Sequence, residues 1–179
     1  MAQAAPDRPP QVVLGRMLRH NRTEENFVTG TAIHLIDAII SILGTPTEAC
    51  SEKLPTAAPA AFLTQARIAF ASGGRAQCII SPVVGTLEET YEIHGQDYTI
   101  QADALNCTLR IWDRKEEVVS WSAPPDADDA YRSGTVGEMA AFIGAIAAGG
   151  GFNPDLRDGL VSLLTSEAVA AGGRHEIAV

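Results

Sequence analysis

Apolar and polar residues alternate in five successive runs between residues 47 and 121, and this alternation constrains the fold more than any other feature of the chain. Because successive side chains of a β-strand point to opposite faces, a period of two predicts strands with one buried and one polar face. Short links, such as SGG at residues 72–74 and GQD at residues 95–97, suit antiparallel hairpins. The side chains that share the apolar face are Phe62, Thr64, Ala66, Ile68 and Phe70; Ala76, Cys78 and Ile80; Tyr91 and Ile93; Tyr98, Ile100 and Ala102; and Cys107, Leu109 and Ile111.

Two further patterns precede these runs. Residues 11–19 form another strand-like segment, and residues 30–44 read as a helix. The apolar residues that recur there at helical spacing are Ile36, Ile39, Ile40 and Leu43. Gly44 stands where a C-cap glycine belongs, and Pro46 just beyond it prevents the helix from continuing.

Two helices are predicted to close the chain. Thr135 and Glu138 form a capping-box pattern, and Asn153 followed by Pro154 is a good helix start. The predicted apolar stripes of these helices are Met139, Phe142, Ile143 and Ile146, and Leu156, Leu160, Leu163 and Leu164. The predicted order of elements is a strand, a helix, about six strands or more, and two helices. This order predicts an α+β fold, in which an open, mostly antiparallel sheet carries helices packed on one face.

Length and charge limit the class of protein. The chain has 179 residues, enough for one domain with a proper core, which we place at residues 11–171. Residues 1–10 are expected to form a disordered leader and residues 172–179 a flexible tail. The net charge of −9 argues against nucleic acid and anionic membranes, since both require a basic face. Without a membrane-length apolar run or a signal-peptide core, the sequence predicts a cytoplasmic location.

The three cysteines carry no recognisable site. Cys50, Cys78 and Cys107 are far apart in the sequence and lack the spacing of metal ligands. We expect them to be small buried residues of strands in a reducing compartment, and the sequence predicts no metal site.

The helix at residues 30–44 carries a polar pair that its packing does not require. His34 and Asp37 lie three residues apart, so they are neighbours on the helix surface. A neutral imidazole can accept or donate a proton near neutral pH, which suits the oxidation of an alcohol. A structural role remains the alternative, because a carboxylate in the first turn is favoured by the helix dipole and could orient His34.

This pair, with Ile42, Leu43 and Gly44 at the end of the same helix, resembles the C-terminal domain of the Gfo/Idh/MocA oxidoreductases. In that family a His-x-x-Asp pair begins a helix that ends in Leu-x-Gly. The segments YEIHGQDYTIQAD at residues 91–103 and GEMAAFI at residues 137–143 are similar to later segments of the family, in the same order. The resemblance covers residues 11–171 and implies a dihydrodipicolinate-reductase-like α+β fold.

Two parts of the full-length family members are missing from this sequence. It has neither the Gly-x-Gly-x-x-Gly motif of a dinucleotide-binding Rossmann domain nor the Glu-Lys-Pro motif that bears the catalytic lysine. Four residues before His34, where catalytically competent members have Asp, this chain has Gly30. The resemblance therefore implies that NAD(P) binds to a missing or partner Rossmann domain, and that this chain alone is not a redox enzyme.

The resemblance also implies which residues border a substrate pocket. His34 is the candidate catalytic proton relay, and Arg19, His20, Arg22 and Asp37 are candidate substrate ligands for a sugar or an acid. For residues 19–22, a solvated basic loop is the competing interpretation.

The resemblance further implies that subunits pair through the open face of the sheet. The residues predicted to lie there are Arg67, Gln77, Ile79, Glu92, Gln101, Arg110 and Trp112. This mixture of polar and apolar side chains is plausible for an interface. The alternative is a solvated face with scattered apolar residues, which is common on protein surfaces.

Together these features predict the substrate-binding and oligomerisation component of an NAD(P)-dependent oxidoreductase acting on a sugar, polyol or related hydroxy compound. Its expected partners are a second copy of the chain, a separate Rossmann-domain subunit and a small polar substrate. Two alternatives stay open. One is a non-catalytic ligand-binding or scaffold homodimer, and the other is a cofactor-free isomerase, lyase or cyclase that uses His34 as its base.

Overall fold

The computed structural model describes residues 8–58, 61–152 and 154–178. The strands within these ranges are β1 (Pro10–Leu18), β2 (Pro46–Pro55), β3 (Phe62–Phe70), β4 (Arg75–Ser81), β5 (Glu88–Gly95), β6 (Tyr98–Asp103), β7 (Thr108–Asp113), β8 (Glu116–Ser122) and β9 (Gly173–Glu176). The helices are α1 (Phe27–Gly30), α2 (Ile33–Leu43), α3 (Asp129–Arg132), α4 (Thr135–Ala148) and α5 (Leu156–Ala171).

The nine strands found in the described ranges form one open sheet in the order β8-β7-β6-β5-β1-β4-β3-β2-β9. Strands β1 and β4 are parallel, and every other neighbouring pair in this sheet is antiparallel. Five of the antiparallel pairs join strands that are consecutive in sequence, for which a short turn is enough, whereas β1–β5 and β2–β9 join distant strands. The sheet confirms the predicted α+β fold with an open, mostly antiparallel sheet.

Helices α2 and α5 lie on one face of this sheet, over β1 and β2, and α1 packs against both helices. Helix α2 buries Leu35, Ile36 and Ile39 completely. It approaches β1 closely at Gly15, where a Cβ atom would lie 3.0 Å from a methyl carbon of Leu35 and of Ile39. Glycine at this point of the strand therefore allows α2 to pack closely against β1.

The predicted first helix is confirmed as α2. Its C-cap is Gly44, with a φ of +88° that favours glycine, and the Gly44 N–H donates to the carbonyl oxygen of Ile40 at 2.8 Å. The core beneath it comprises mainly Val13, Met17, Leu35, Ile36, Ile39, Leu43, Ala49, Ala66, Ile68, Phe70, Ala76, Cys78, Ile80 and Val169.

The predicted alternation of burial is confirmed in β3 after Phe62, which is exposed, in β4, and at Tyr91 and Ile93 of β5, but β6 and β7 do not show it. Thr64, Ile68 and Ile80 are almost completely buried. The corresponding residues of β6 and β7, such as Ile100 and Ile111, are half-buried. The reason is that α2 and α5 lie over the other part of the sheet.

The predictions for the two ends of the domain have to be corrected. The expected flexible tail contains β9, which pairs with β2, and the Arg174 side chain donates to the Glu48 carboxylate at 2.8 Å. At the other end, the Arg8 guanidinium pairs with Asp113 at 2.9 Å and Pro10 begins β1. Pairing between distant segments satisfies their backbone groups, and local sequence patterns do not reveal such pairing. Residues 1–7 of the expected leader lie outside the described residues.

Helix α4 does not begin with the predicted capping box. Its N-cap is Gly134, with a φ of +81°, and no side chain caps the helix. The Thr135 hydroxyl instead lies 2.8 Å from the hydroxyl of Ser133. The short helix α3 and this hydroxyl pair set the start of α4.

Helix α5 begins two residues later than its predicted start. Asp155 is the N-cap, and its carboxylate and that of Asp158 form a capping box. The predicted N-cap, Asn153, lies outside the described residues.

The apolar stripes predicted for α4 and α5 do not reach the core. The stripe residues that are exposed are Met139, Phe142, Ile143, Ile146, Leu156, Leu160 and Leu163. Helix α4 packs mainly against α3, and α5 turns a different face inward. That inward face is small and hydroxylated, with Ser162, Thr165 and Ser166 buried, because α5 lies close to α1, α2 and β2.

The expectation of three buried strand cysteines holds for one of them. Cys78 is completely buried in β4, and burial raises the pKa of its thiol to about 12. Cys50 and Cys107 are half-buried, and Cys107 lies in the turn before β7 with a φ of +50°. In the part of the chain that the structure describes, no helix has the length and apolar character needed to cross a membrane.

Replacing Ile39 and Ile146 by Ala should have very different effects on stability. Ile39→Ala creates a cavity in the core, so the free energy of unfolding should fall by about 2–5 kcal/mol. Ile146→Ala removes a side chain that is 63% exposed, so its effect should stay within roughly 0.5 kcal/mol. Urea denaturation of both variants measures this difference, and equal losses would contradict the placement of α4 outside the core.

Thiol reactivity should distinguish the buried Cys78 from the half-buried Cys50 and Cys107. At pH 8 the Cys78 thiol remains protonated, because this pH lies well below its raised pKa, and burial blocks access to it. A disulfide reagent should therefore label Cys50 and Cys107 in the native protein and reach Cys78 only in urea. Native labelling of Cys78, located by peptide mass spectrometry, would contradict the core described above.

Candidate functional site

The first turns of α2 present two polar side chains to solvent. His34 and Asp37 are exposed, whereas Leu35 and Ile36 between them are buried against the sheet. Their spacing of three residues puts them on adjacent turns of the same surface. The imidazole of His34 makes none of the side-chain hydrogen bonds found among the described residues, and His34 is exposed, so a ligand can reach its ring.

Asp37 connects this surface to α5. The hydroxyl of Ser162 donates to Asp37 Oδ1 at 2.5 Å, and Ser162 is itself buried. A hydrogen bond to a carboxylate is stronger than a neutral one, so it holds α2 and α5 in register. The sequence prediction missed Ser162, although the hydroxyls of Ser162, Thr165 and Ser166 recur at helical spacing and could have signalled a polar face.

Arg22 reaches the start of α2 from the loop after β1. Its guanidinium donates to the Thr31 hydroxyl at 3.1 Å, three residues before His34, and it forms an ion pair with Glu24. The hydrogen bond from Arg22 holds the pKa of the Glu24 carboxyl below its usual range. The same guanidinium lies over the ring of Phe27 at 5.9 Å. Arg22 is thus placed beside the candidate site, with its charge neutralised.

Arg19 points away from the site, toward β5. It donates to Glu89 Oε2 at 2.6 Å and to the carbonyl oxygen of Glu88 at 2.8 Å. The side chains of Arg19 and Glu89 are only 13% and 15% exposed. The phenol of Tyr91 also donates to Glu89, and burial, together with the Glu89 charge, raises the Tyr91 pKa well above its usual range. These contacts fit a structural ion pair.

His20 is held by the loop that follows β4. Its Nδ1 atom lies 2.9 Å from the carbonyl oxygen of Val84, and the side chain is exposed. The structure therefore brings Arg22 to the start of α2 and joins Asp37 to α5, whereas Arg19 and His20 are occupied by β5 and by the loop around Val84.

A groove lies beside Asp37, between α2 and the first half of α5. Its volume is ≈ 690 Å³, within the range of small-molecule sites. The lining residues are Asp37, Ile40, Ser41, Gly44, Thr45, Pro154, Asp158 and Val161. Two carboxylates and two hydroxyls can accept hydrogen bonds from the hydroxyl groups of a ligand, and the aliphatic residues can contact its carbon atoms.

The charges around this groove favour some ligands over others. Arg22 is paired with Glu24 and Arg19 with Glu89, so neither leaves a free cation for an anionic group. Asp37 and Asp158 leave the groove itself negative, which disfavours acids and phosphates. Within the described ranges, no cluster of His, Cys, Asp and Glu could hold a metal ion.

Replacing each arginine by Met should distinguish the roles of Arg19 and Arg22. Arg19→Met leaves the mostly buried Glu89 without its cation, so the free energy of unfolding should fall by roughly 3 kcal/mol. Arg22→Met removes an exposed ion pair, and its cost should stay below about 1 kcal/mol. Chemical denaturation of both variants measures their free energies of unfolding. An Arg19→Met variant as stable as the wild type would rule out the structural role of Arg19.

Known proteins match this chain in structure but not in sequence. No protein-family model matches the sequence, and no curated protein matches it significantly. Solved structures do match the fold. A levoglucosan dehydrogenase in complex with NADH has a TM-score of 0.76 at 16% identity, over 95% of this chain and 59% of its own.

Two further solved structures give the same result. UDP-N-acetylglucosamine 3-dehydrogenase GnnA from Acidithiobacillus ferrooxidans has a TM-score of 0.76 at 22% identity, over 93% of this chain and 56% of its own. A dehydrogenase from Chromobacterium violaceum has a TM-score of 0.77 at 17% identity, over 90% of this chain and 52% of its own. This chain thus spans less than two thirds of each of them, and at these identities the likeness establishes the fold. The chain has the fold of the Gfo/Idh/MocA-type dehydrogenases, over a little more than half of their length.

Proposed function

We propose that this chain is the substrate-binding and assembly domain of an NAD(P)-dependent oxidoreductase that acts on a neutral sugar, polyol or related hydroxy compound. The observation that carries the proposal is the match of nearly the whole chain to dehydrogenases of levoglucosan and of UDP-N-acetylglucosamine. The exposed polar pair of α2 beside a groove of suitable size supports it.

The dinucleotide is expected to bind to a domain outside this sequence, on a longer polypeptide or on a partner subunit. Dinucleotide sites of doubly wound sheets use a glycine-rich turn from a parallel strand into a helix. In the described part of the chain, β1 and β4 are the one parallel pair, and residues 19–26 after β1 contain no glycine. These features favour a cofactor site on another domain, and this chain would supply the substrate side.

The reaction we propose is the oxidation of a carbinol. A nicotinamide held by the other domain would supply the acceptor for the hydride of the carbinol carbon, and a base of this chain would take the proton of the hydroxyl. His34 is placed to be that base or to relay the proton, because its ring is exposed on α2 and a neutral imidazole can accept a proton. Asp37, held by Ser162, keeps lone pairs for a second hydroxyl of the substrate.

We further propose that two copies pair through the open face of the sheet. That face carries Val12, Leu14 and Ile79, each about one-third exposed, among polar residues such as Gln77 and Gln101. An interface needs such a mixture, with apolar contacts and hydrogen bonds in one patch.

The first test is a native pull-down of the chain from its own organism, with partners identified by mass spectrometry and size by light scattering. We expect a polypeptide with a dinucleotide-binding fold in stoichiometric amounts, and NAD(P)-dependent turnover of neutral polyols and sugars. His34→Ala should lower kcat on the order of 10²–10⁴-fold. The control is His175→Ala, since the His175 ring bonds the carbonyl oxygen of Gly172 beside the edge strand β9.

Two results would count against this function. Recovery of the chain alone, as a discrete homo-oligomer without NAD(P)-dependent turnover, would favour the ligand-binding homodimer. Turnover of a hydroxy compound without any dinucleotide, lost in His34→Ala, would favour the cofactor-free enzyme.

A further inference from the structure

Strand β8 is an edge of the sheet that the rest of the described chain leaves exposed. It lies at the end of the strand order, beside β7, and each of its seven residues, EEVVSWS, is exposed. Its apolar side chains are accessible, with Val118 55% exposed and Trp121 45% exposed. A strand edge presents unpaired backbone N–H and C=O groups, which makes it a template for another strand.

The backbone groups of β8 that face away from the sheet follow from its pairing with β7. The Ala123 N–H donates to the carbonyl oxygen of Cys107 at 2.9 Å, just beyond the end of the strand. Antiparallel neighbours form hydrogen bonds at alternate residues, so Trp121 and Val119 bond β7 as well. Ser120 between them therefore directs its N–H and C=O groups to the free side of the sheet.

The two halves of β8 differ in how strongly they resist pairing. Glu116 and Glu117 at its start are charged, and the register with β7 shifts at Val118, where β8 has one extra residue. Charges and bulges are the features that keep edge strands from pairing with other chains. The second half, residues 119–122, has no charge and an unbroken register with β7. Pairing is therefore open to residues 119–122.

We propose that two copies of the chain pair antiparallel through residues 119–122, so that their sheets join edge to edge. A two-fold axis at Ser120 makes the contact self-complementary, because each copy offers the same patch. Ser120 of each copy then exchanges two backbone hydrogen bonds with Ser120 of the other. Val119 lies opposite Trp121 of the second copy, and a β-branched residue opposite an aromatic one is a favourable cross-strand pair.

The charges beyond the two ends of β8 favour this antiparallel arrangement. Arg114 and Lys115 form the turn before β8; both are exposed and belong to none of the ion pairs found among the described residues. The loop after β8 is acidic, and its Asp126 is exposed. Arg114 and Asp126 are equally distant in sequence from Ser120, so the pairing brings Arg114 of each copy toward Asp126 of the other. Parallel pairing would instead place the glutamates of both strands side by side, which is unfavourable.

This contact is separate from the pairing proposed for the open face of the sheet, and it does not depend on the oxidoreductase function. It uses backbone groups at the edge, whereas the open face offers side chains such as Leu14 and Gln77. Two different two-fold contacts on one chain allow assemblies larger than a dimer. Four residues on each strand form a small contact, so we expect the edge association to be weak and to depend on protein concentration.

The first test removes the outward N–H of Ser120. Ser120→Pro cannot donate this hydrogen bond, and proline is tolerated in an edge strand where the N–H faces solvent. We expect the Kd of self-association to rise on the order of 10-fold or more, because the facing C=O group loses its partner. Ser120→Ala is the matched control, since it keeps the N–H, and its Kd should change by less than about 3-fold. Sedimentation velocity over a concentration series measures both values.

The second test exchanges the charges beyond the ends of β8. Arg114→Glu should raise the Kd by roughly 3-fold or more, because an attractive pair becomes repulsive at both ends of the contact. Adding Asp126→Arg to Arg114→Glu restores the pair with reversed signs, so the Kd should return close to that of the wild type. Hydrogen exchange gives an independent readout, since the Ser120 amide should exchange more slowly as the concentration of wild type rises.

The outcomes that overturn the edge contact leave the proposed function standing. If wild type and Ser120→Pro associate equally at every concentration, β8 does not form the contact. If association is insensitive to Arg114→Glu and lost in Leu14→Glu, the copies pair only through the open face. If the Ser120 amide is protected only after another protein is added, the edge accepts a strand of that protein instead. Should Ser120→Pro fail to fold, the exchange of Arg114 and Asp126 charges decides.

Discussion

The contact of α2 with β1 at Gly15 fixes which side chains of α2 face the sheet and which face solvent. Leu35 and Ile39 reach the strand because Gly15 has no Cβ atom to hold the helix away. Once these residues face the sheet, the 100° step of a helix turns His34 and Asp37 to the outside. Asp37 can then meet Ser162 of α5, and Thr31 can meet Arg22. The exposure of the site is thus a consequence of core packing.

Strands and helix α2 could be predicted because each shows its own burial pattern locally. Residues such as Thr64, Ile68 and Ile80 alternate with polar neighbours because each strand has one face on the core. Gly44 and Pro46 mark the end of α2 by backbone rules that need no tertiary information. The order of the strands, with β1 in the middle of the sheet, has no local signal.

The candidate site was predictable only in part, for a similar reason. His34 and Asp37 stand out at i and i+3, but Ser162 bonds Asp37 across 125 residues of sequence. Arg19 and Arg22 look alike in the sequence, yet one is held by Glu89 and the other reaches Thr31. The leucines of α5 form a regular apolar stripe, and such a stripe does not tell which body covers it.

The chain leaves two surfaces that its own residues do not cover. Helices α2 and α5 cover the helix side of the sheet over β1 and β2, while the far face of the sheet and the stripes of α4 and α5 contain partly exposed apolar groups. Exposed apolar patches of this kind are where proteins commonly make further contacts.

The central position of β1 also sets an order of events during folding. This first strand pairs with β4 on one side and with β5 on the other, so its neighbours are synthesised some 60–80 residues after it. Strands β5 to β8, by contrast, pair with their immediate successors and can form as each hairpin is completed. Until residue 95 has left the ribosome, β1 has an unpaired edge and the apolar face of α2 has no complete sheet to cover. Strand β1 therefore has no complete set of partners until β5 is made, and it is a segment that a chaperone would need to shield during that interval.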